Sequence, residues 1–350
     1  MRFIGGKSLI FPNIMEMIET YTKGVRSASD LFSGSGVVTR LFKRAGLSTY
    51  SNDLMYFSYV LLRGTTSISV PLKFEGLRKI GISDPVRHLN GVTDLKADLD
   101  NDTKALFMYQ NYSPRGGRMY FTESNARKID LIRLTIEQWR DKGYLSDDEY
   151  FHLLAILLEA VPFVSNTTGV YGAFLKHWDP RALKPLTLEY LPLEAPLSMD
   201  RSTHHIVYNR DSLDIVDSID VDLAYYDPPY NQRQYLPNYH ILETIARYDY
   251  PEIKGKTGLR DYTNERSLFC SKSKVYDETK RLIERTHARY IIFSYNSEGL
   301  LSHQEIKELL LSYGSERSFK YKAIQYNRYK NASTKHNNNL SERLYFVAKK

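Results

Sequence analysis

Between Val25 and Asp53 the sequence leaves few folds open. Val25 to Phe32 reads as a buried strand, Ser33-Gly34-Ser35-Gly36 as a glycine loop, and Val37 to Ala45 as a helix closed by Gly46. Strand, glycine turn and helix open a doubly wound α/β unit, because glycines let backbone N–H groups approach a ligand at the helix N-terminus. A second strand, Leu47 to Ser51, ends in Asn52-Asp53, seventeen residues past Gly36. An acid at the end of the second strand is where such folds hold the two hydroxyls of a ribose. The expected architecture is therefore α/β, with a Rossmann-like sheet.

The loop also narrows the ligand. Val37-Val38-Thr39 follows Gly36, so this is not the GxGxxG of dinucleotide enzymes, and it lacks the lysine–serine pair of a phosphate-binding loop. Asp30, just before the glycines, would repel a pyrophosphate and attract a cationic amino acid moiety. Ribose, adenine, an ammonium and no phosphate describe S-adenosyl-L-methionine, with a nicotinamide cofactor as the alternative.

The rest of the chain falls into two kinds of sequence. A helical spacing covers Asn13 to Lys23. From about Arg63 to Met199 the character is helical, with amphipathic helices expected over Ser124 to Lys142 and Ser146 to Val161. Strand and helix alternate again after residue 202: strands at Thr203 to Tyr208, Val221 to Tyr226 and Tyr290 to Tyr295, helices at Tyr239 to Tyr248, Lys274 to Thr286 and Ser302 to Leu311. Arg317 to Lys350 reads as two β runs around a polar tip at Lys335 to Asn339. The expected domains are 1–65 with 203–350 as one unit, and 66–202 as an inserted, mainly helical module.

Asp227-Pro228-Pro229-Tyr230 follows the strand at Val221 to Tyr226. Two prolines fix φ and remove two N–H donors, leaving stiff backbone with carbonyls to offer. Asp227 adds a carboxylate acceptor and Tyr230 an aromatic face. Such a corner suits a planar substrate carrying an amino group, for example an adenine turned out of a DNA duplex.

Charge and composition set further bounds. A formal net charge of +7 favours a polyanionic partner, and 28 tyrosines suit a wet, stacking interface. Cys270 is the single cysteine, which excludes an internal disulfide and a thiolate metal cluster, and no metal is expected. No uncharged apolar run approaches the ~18 residues of a spanning helix, and the opening residues lack a signal-peptide core, so a cytoplasmic protein without membrane contact is expected. Arg115 and Arg118, on a glycine turn, are candidates for a DNA groove. Arg233 is a candidate for a phosphate beside the extruded base. The stretch Lys320 to Lys330 interleaves bases with aromatics and offers Arg328 and Lys330 to DNA.

Taken in order, Phe3-Ile4-Gly5-Gly6-Lys7, Asp30 to Gly36, Asn52-Asp53, Asn209-Arg210-Asp211 and Asp227 to Tyr230 resemble the successive motifs of the adenine-N6 DNA methyltransferases. The order is similar to the group, Dam-type enzymes and restriction–modification partners among them, whose target-recognition domain lies between the glycine motif and DPPY. The resemblance covers both flanks, with the insert matching in position only. It implies a Rossmann-like S-adenosylmethionine-dependent methyltransferase sheet with an inserted target-recognition domain. It places Phe3, Gly6 and Lys7 at the cofactor, with Lys7 on its carboxylate. Asp30, Phe32, Gly34 and Gly36 belong to its methionine end, Asp53 to its ribose, and Asp211 to its adenine amino group. Asp227, also beside the cofactor, and the Pro228 carbonyl would hold the target amino group in a corner stiffened by Pro229, while Tyr230 stacks on the flipped base. Implied partners are double-stranded DNA and an independently acting cognate endonuclease, with a monomer expected. An RNA adenine or protein glutamine methyltransferase and a non-catalytic nucleic-acid-binding module remain the rival classes.

Overall fold

The computed structural model describes residue 7 and residues 10–93, 106–193, 203–325 and 340–350. In chain order the first elements are α1 (Phe11–Tyr21), β1 (Ser27–Asp30), α2 (Val37–Arg44), β2 (Ser48–Asn52) and α3 (Tyr56–Thr65). A helical stretch follows: α4 (Glu75–Lys79), α5 (Pro85–Gly91), α6 (Phe107–Tyr112), α7 (Glu123–Asp141) and α8 (Asp147–Ala160). Next come β3 (His205–Tyr208), α9 (Ser212–Ile215), β4 (Asp220–Tyr226), α10 (Leu236–Arg247), β5 (Ile253–Lys254) and β6 (Leu259–Arg260). The last elements are α11 (Val275–Arg285), β7 (His287–Asn296), α12 (His303–Tyr313), β8 (Lys320–Gln325) and β9 (Ser341–Ala348). None of the described helices is long and apolar enough to cross a membrane.

These elements form two compact units. The first to consider comprises residues 5–54, 195–234 and 266–350 and contains a seven-stranded sheet in the order β3-β2-β1-β4-β7-β9-β8. Strands β3, β2, β1, β4 and β7 are mutually parallel, and β9 runs antiparallel between β7 and β8. Alternating side chains divide between two apolar layers. Ala28, Leu223, Tyr225, Ile292, Leu344 and Phe346 meet α1 and α2 through Ile14, Met17, Val38 and Phe42. On the other face, Tyr226, Ile291, Phe293 and Val347 pack with Leu213 of α9, Leu282 of α11 and Ile306 of α12. The α/β, Rossmann-like sheet read from the sequence is what the chain builds.

The second unit takes residues 1–4, 55–194 and 235–265. Its boundaries differ from those expected. Helix α3 leaves the sheet-bearing unit, and so does the segment from Tyr235 to Glu265, which lies after the proline corner. Buried charges explain the membership. The Glu243 carboxylate on α10 accepts from the N–H groups of Tyr56 (3.0 Å) and Phe57 (2.9 Å) at the start of α3. Asp130 on α7 accepts from Met108 N–H (2.9 Å) and Tyr109 N–H (2.8 Å) at the start of α6. Arg133, also on α7, donates to the carbonyls of Ile245 (3.0 Å) and Ala246 (3.3 Å) near the end of α10. Acids at helix N-termini and an arginine at a C-terminus satisfy backbone groups that the helices leave open.

Candidate active site

Chain order places the reacting groups. From β1 the chain steps outward through β2 and β3, then returns to lay β4 against the other side of β1. Open α/β sheets bind ligands at the carboxyl ends of the strands beside such a reversal. Asp30 ends β1, and Asp30 pairs in register with Tyr225 of β4, two residues before Asp227. Asp53 follows β2 directly. Three carboxylates from distant sequence thus share one end of the sheet.

Glycine conformation shapes the loop between β1 and α2. Gly34 (φ 53°) and Gly36 (φ 74°) occupy the left-handed region that favours glycine. Gly36 caps α2, and its N–H donates to the Ser33 carbonyl at 2.8 Å. The Gly34 N–H donates to Asp53 Oδ2 at 2.7 Å, so the second-strand acid also fixes the loop. Asp30 is buried, and its Oδ2 accepts from the Thr39 hydroxyl at 2.9 Å. Its Oδ1 is buried and accepts no hydrogen bond among the described residues. Burial pushes the Asp30 carboxyl up to about 7, with the charges of Asp227 and Asp53 adding to the rise and the Thr39 hydroxyl opposing it. A buried acceptor without a donor, amid acids and a glycine cradle, fits a cationic ligand and disfavours a pyrophosphate.

At the proline corner, Lys7 Nζ lies 2.9 Å from Asp227 Oδ1 and 2.7 Å from Glu342 Oε1. The Ser294 hydroxyl donates to the same Glu342 oxygen at 2.7 Å. This cluster caps one face of the sheet. Tyr225, Ile292 and Leu344 belong to the apolar layer, and two residues further toward the carboxyl end of the parallel strands stand Asp227, Ser294 and Glu342. Asp227 is held above the ordinary carboxylate range by desolvation and by the Glu342 charge, against the Lys7 ammonium. Lys7 stays charged above its ordinary range; burial opposes the charge, and Asp227 and Glu342 overcome that opposition.

Other residues singled out from the sequence have varied surroundings. Tyr230 is half-buried, and its carbonyl accepts from Leu300 N–H at 2.9 Å; Pro228 is buried and Pro229 half-buried. Phe32 packs edge-on against Phe269 (5.0 Å) and Tyr226 (6.4 Å). Lys7, expected at a cofactor carboxylate, engages two carboxylates of the chain itself. Asp211 caps the short α9, its Oδ1 accepting from Leu213 N–H at 2.9 Å. Arg233 is exposed. Arg118, expected at a DNA groove, is occupied elsewhere: its guanidinium donates to the carbonyls of Asn111, Gly116, Gly255 and Lys256. Arg115 is exposed over the Tyr109 ring. Phe3, Gly6, Arg328 and Lys330 lie outside the described residues. Glu342, Ser294 and Thr39 were not singled out from the sequence. A signal for Glu342 exists in the alternation Glu342-Leu344-Phe346, which puts an acid in line with two core residues.

Comparison with known proteins gives the chain's family. A family model described as D12 class N6 adenine-specific DNA methyltransferase matches residues 3–312. The type II methyltransferase M.FokI of Planomicrobium okeanokoites is 42% identical over 355 residues, taking in the whole of this chain and 53% of that protein. Modification methylase StsI of Streptococcus sanguinis is 37% identical over 351 residues, again the whole chain but 52% of the relative. The type II methyltransferase M.NlaIII of Neisseria lactamica is 37% identical over 356 residues, which span 99% of this chain and 97% of that protein. The chain therefore spans about half the length of M.FokI and StsI and nearly all of M.NlaIII.

Proposed function

Because this chain belongs to the D12 class of N6 adenine-specific DNA methyltransferases, we propose that it methylates N6 of an adenine turned out of double-stranded DNA, using S-adenosyl-L-methionine. Its biological setting is a restriction–modification pair, in which it protects sites that a separately acting endonuclease would cut. The observation that carries this reading is the shared end of β1 and β4, where Asp30 ends one strand and Asp227 directly follows its neighbour.

Asp30, Gly34, Gly36 and Asp53 would hold the cofactor, with Phe32 beside them. The unsatisfied Oδ1 of Asp30 supplies an acceptor for its ammonium. When bound, the cofactor supplies an electrophilic methyl group on a sulfonium centre. The chain's own residues prepare the nucleophile. Adenine's amino lone pair is conjugated into the ring; accepting hydrogen bonds from both N–H groups, through Asp227 and the Pro228 carbonyl, draws that nitrogen toward tetrahedral geometry. Tyr230 stacks on the extruded base and holds it in register, since every base offers a π-face. Positive charge grows on nitrogen during transfer, and fixed acceptors already in place stabilise it without reorganising. The helical unit is the proposed reader of the recognition sequence, with exposed Arg115 and Arg233 as candidate DNA contacts.

Asp227→Ala tests the reading directly. With labelled cofactor and duplex DNA, turnover should fall by roughly 100-fold or more, the scale of removing one preorganised charge-stabilising group. Circular dichroism should show the fold retained. Undiminished methylation by this variant would remove the mechanism.

A further inference from the structure

We infer that Glu342 is a positioning residue of the proposed methyl transfer, binding Lys7 so that its ammonium orients Asp227 without cancelling the negative charge at the proline corner. The inference rests on the reading above and adds to it a residue from the last strand, far from every motif that led there.

Burial makes Glu342 costly as packing. Glu342 is 5% exposed, Lys7 7% and Ser294 fully buried. Its neighbours on the same strand face are Leu344 and Phe346. Apolar residues in place of a buried ion cluster are often neutral or stabilising, so a carboxylate kept here signals some use for its charge. Charge arithmetic suggests the use. Lys7 and Asp227 alone sum to zero, and a neutral pair offers little to a nitrogen becoming positive. With Glu342 the cluster sums to −1. Lys7 still fixes Asp227 through Oδ1, which leaves Oδ2 to accept from the amino group, and Ser294 fixes Glu342 in turn.

The groups facing Asp227 come from every strand around it. Asp30 on β1 faces it, with Asp53 after β2 beside Asp30, and Tyr225 on β4 is kept protonated by burial and the Asp227 charge. Ser294 on β7 is neutral, Glu342 on β9 is negative, and Lys7 is the cation. Removing the Glu342 charge leaves Lys7 less opposed at Asp227, which then holds its proton less firmly.

The test is a double-mutant cycle of Lys7→Met and Glu342→Gln, read as single-turnover rate against pH on a methylatable duplex. In Glu342→Gln the plateau rate should fall roughly tenfold to a hundredfold, the worth of one charge-assisted hydrogen bond. The acid limb, where Asp227 takes up its proton, should move to lower pH. In Lys7→Met, two unscreened carboxylates remain, and the limb should move to higher pH. Adding Glu342→Gln to Lys7→Met should then raise the rate near pH 7.5, reversing the sign of the single substitution. A role confined to holding the N-terminal segment would give falls that add and a limb that stays in place; either result overturns the inference. The doubly substituted chain carries no unpaired Lys7 or Glu342 charge, so its rate relative to Lys7→Met decides the matter even if Glu342→Gln alone fails to fold. A wild-type chain that methylates no adenine would instead remove the underlying reading.

Discussion

At the scale of single residues, Asp30, the proposed acceptor for the cofactor's ammonium, is a carboxyl buried at a cost to the folded chain. Its folded-state carboxyl lies up at about 7, against about 3.9 for an unperturbed aspartate. Between those values the folded chain binds more protons than the unfolded one, so Asp30 makes the cofactor-free protein less stable as pH rises from about 4 to about 7. A cationic ligand reverses the preference, because it favours the ionised form. Cofactor binding should therefore tighten as pH rises through that range and release protons, which calorimetry in buffers of different ionisation enthalpy measures. Asp30→Asn should melt at or above the wild-type temperature at pH 8, yet bind the cofactor roughly tenfold to a hundredfold more weakly. Equal affinity in that variant would separate Asp30 from the cation. Asp30 was legible in the sequence because strand, acid and glycines are adjacent there. Glu342 was not, because its meaning depends on Lys7 and Asp227, 335 residues and 115 residues away in the chain.

Elements were legible where periodicity defines them and opaque where partnership does. Helix α10 was read as a helix from its apolar spacing, within a few residues of its observed ends. Nothing in that spacing says which core it joins. The deciding group is Glu243, a fully buried carboxylate that caps α3 from the far end of the sequence. The same gap explains Arg118. An arginine on a glycine turn reads from sequence as a solvent-facing charge, but here it ties the turn at Pro114–Gly116 to the tip between β5 and β6. Tyr112 adds to the tie, its hydroxyl donating to the Gly258 carbonyl at 2.8 Å. Arg118→Ala should free that tip, so limited trypsin digestion should cut faster at Lys254 and Lys256. Unfolding should be easier by about 1–3 kcal/mol, the cost of carbonyls left without their charged donor. Unchanged proteolysis with weakened DNA binding would return Arg118 to the role its sequence position suggested.

At the scale of the whole molecule, the net charge and the charge of the proposed site have opposite signs. The formal net charge is +7, yet the residues around the proline corner are Asp30, Asp53, Asp227 and Glu342 with Lys7 as their described cation. The excess of basic residues therefore lies outside this cluster, and in the proposed function that excess meets the DNA while the acids meet the cationic cofactor. These two attractions differ in their exposure to salt. Exposed charges more than about 10 Å apart are screened at about 0.1 M salt, whereas buried ones are screened much less. A protein meeting 6–10 phosphates loses about 10³–10⁵ in affinity between about 50 and 200 mM salt through counterion release. Over that interval this chain's affinity for duplex DNA should fall at least tenfold, while its affinity for S-adenosyl-L-methionine should change by less than about threefold. Fluorescence anisotropy of a labelled duplex and calorimetric titration of the cofactor, on the same protein and in the same buffers, give the two slopes. Two flat lines would mean that the basic excess does not face DNA, and two steep ones that the acids of the site are open to bulk solvent.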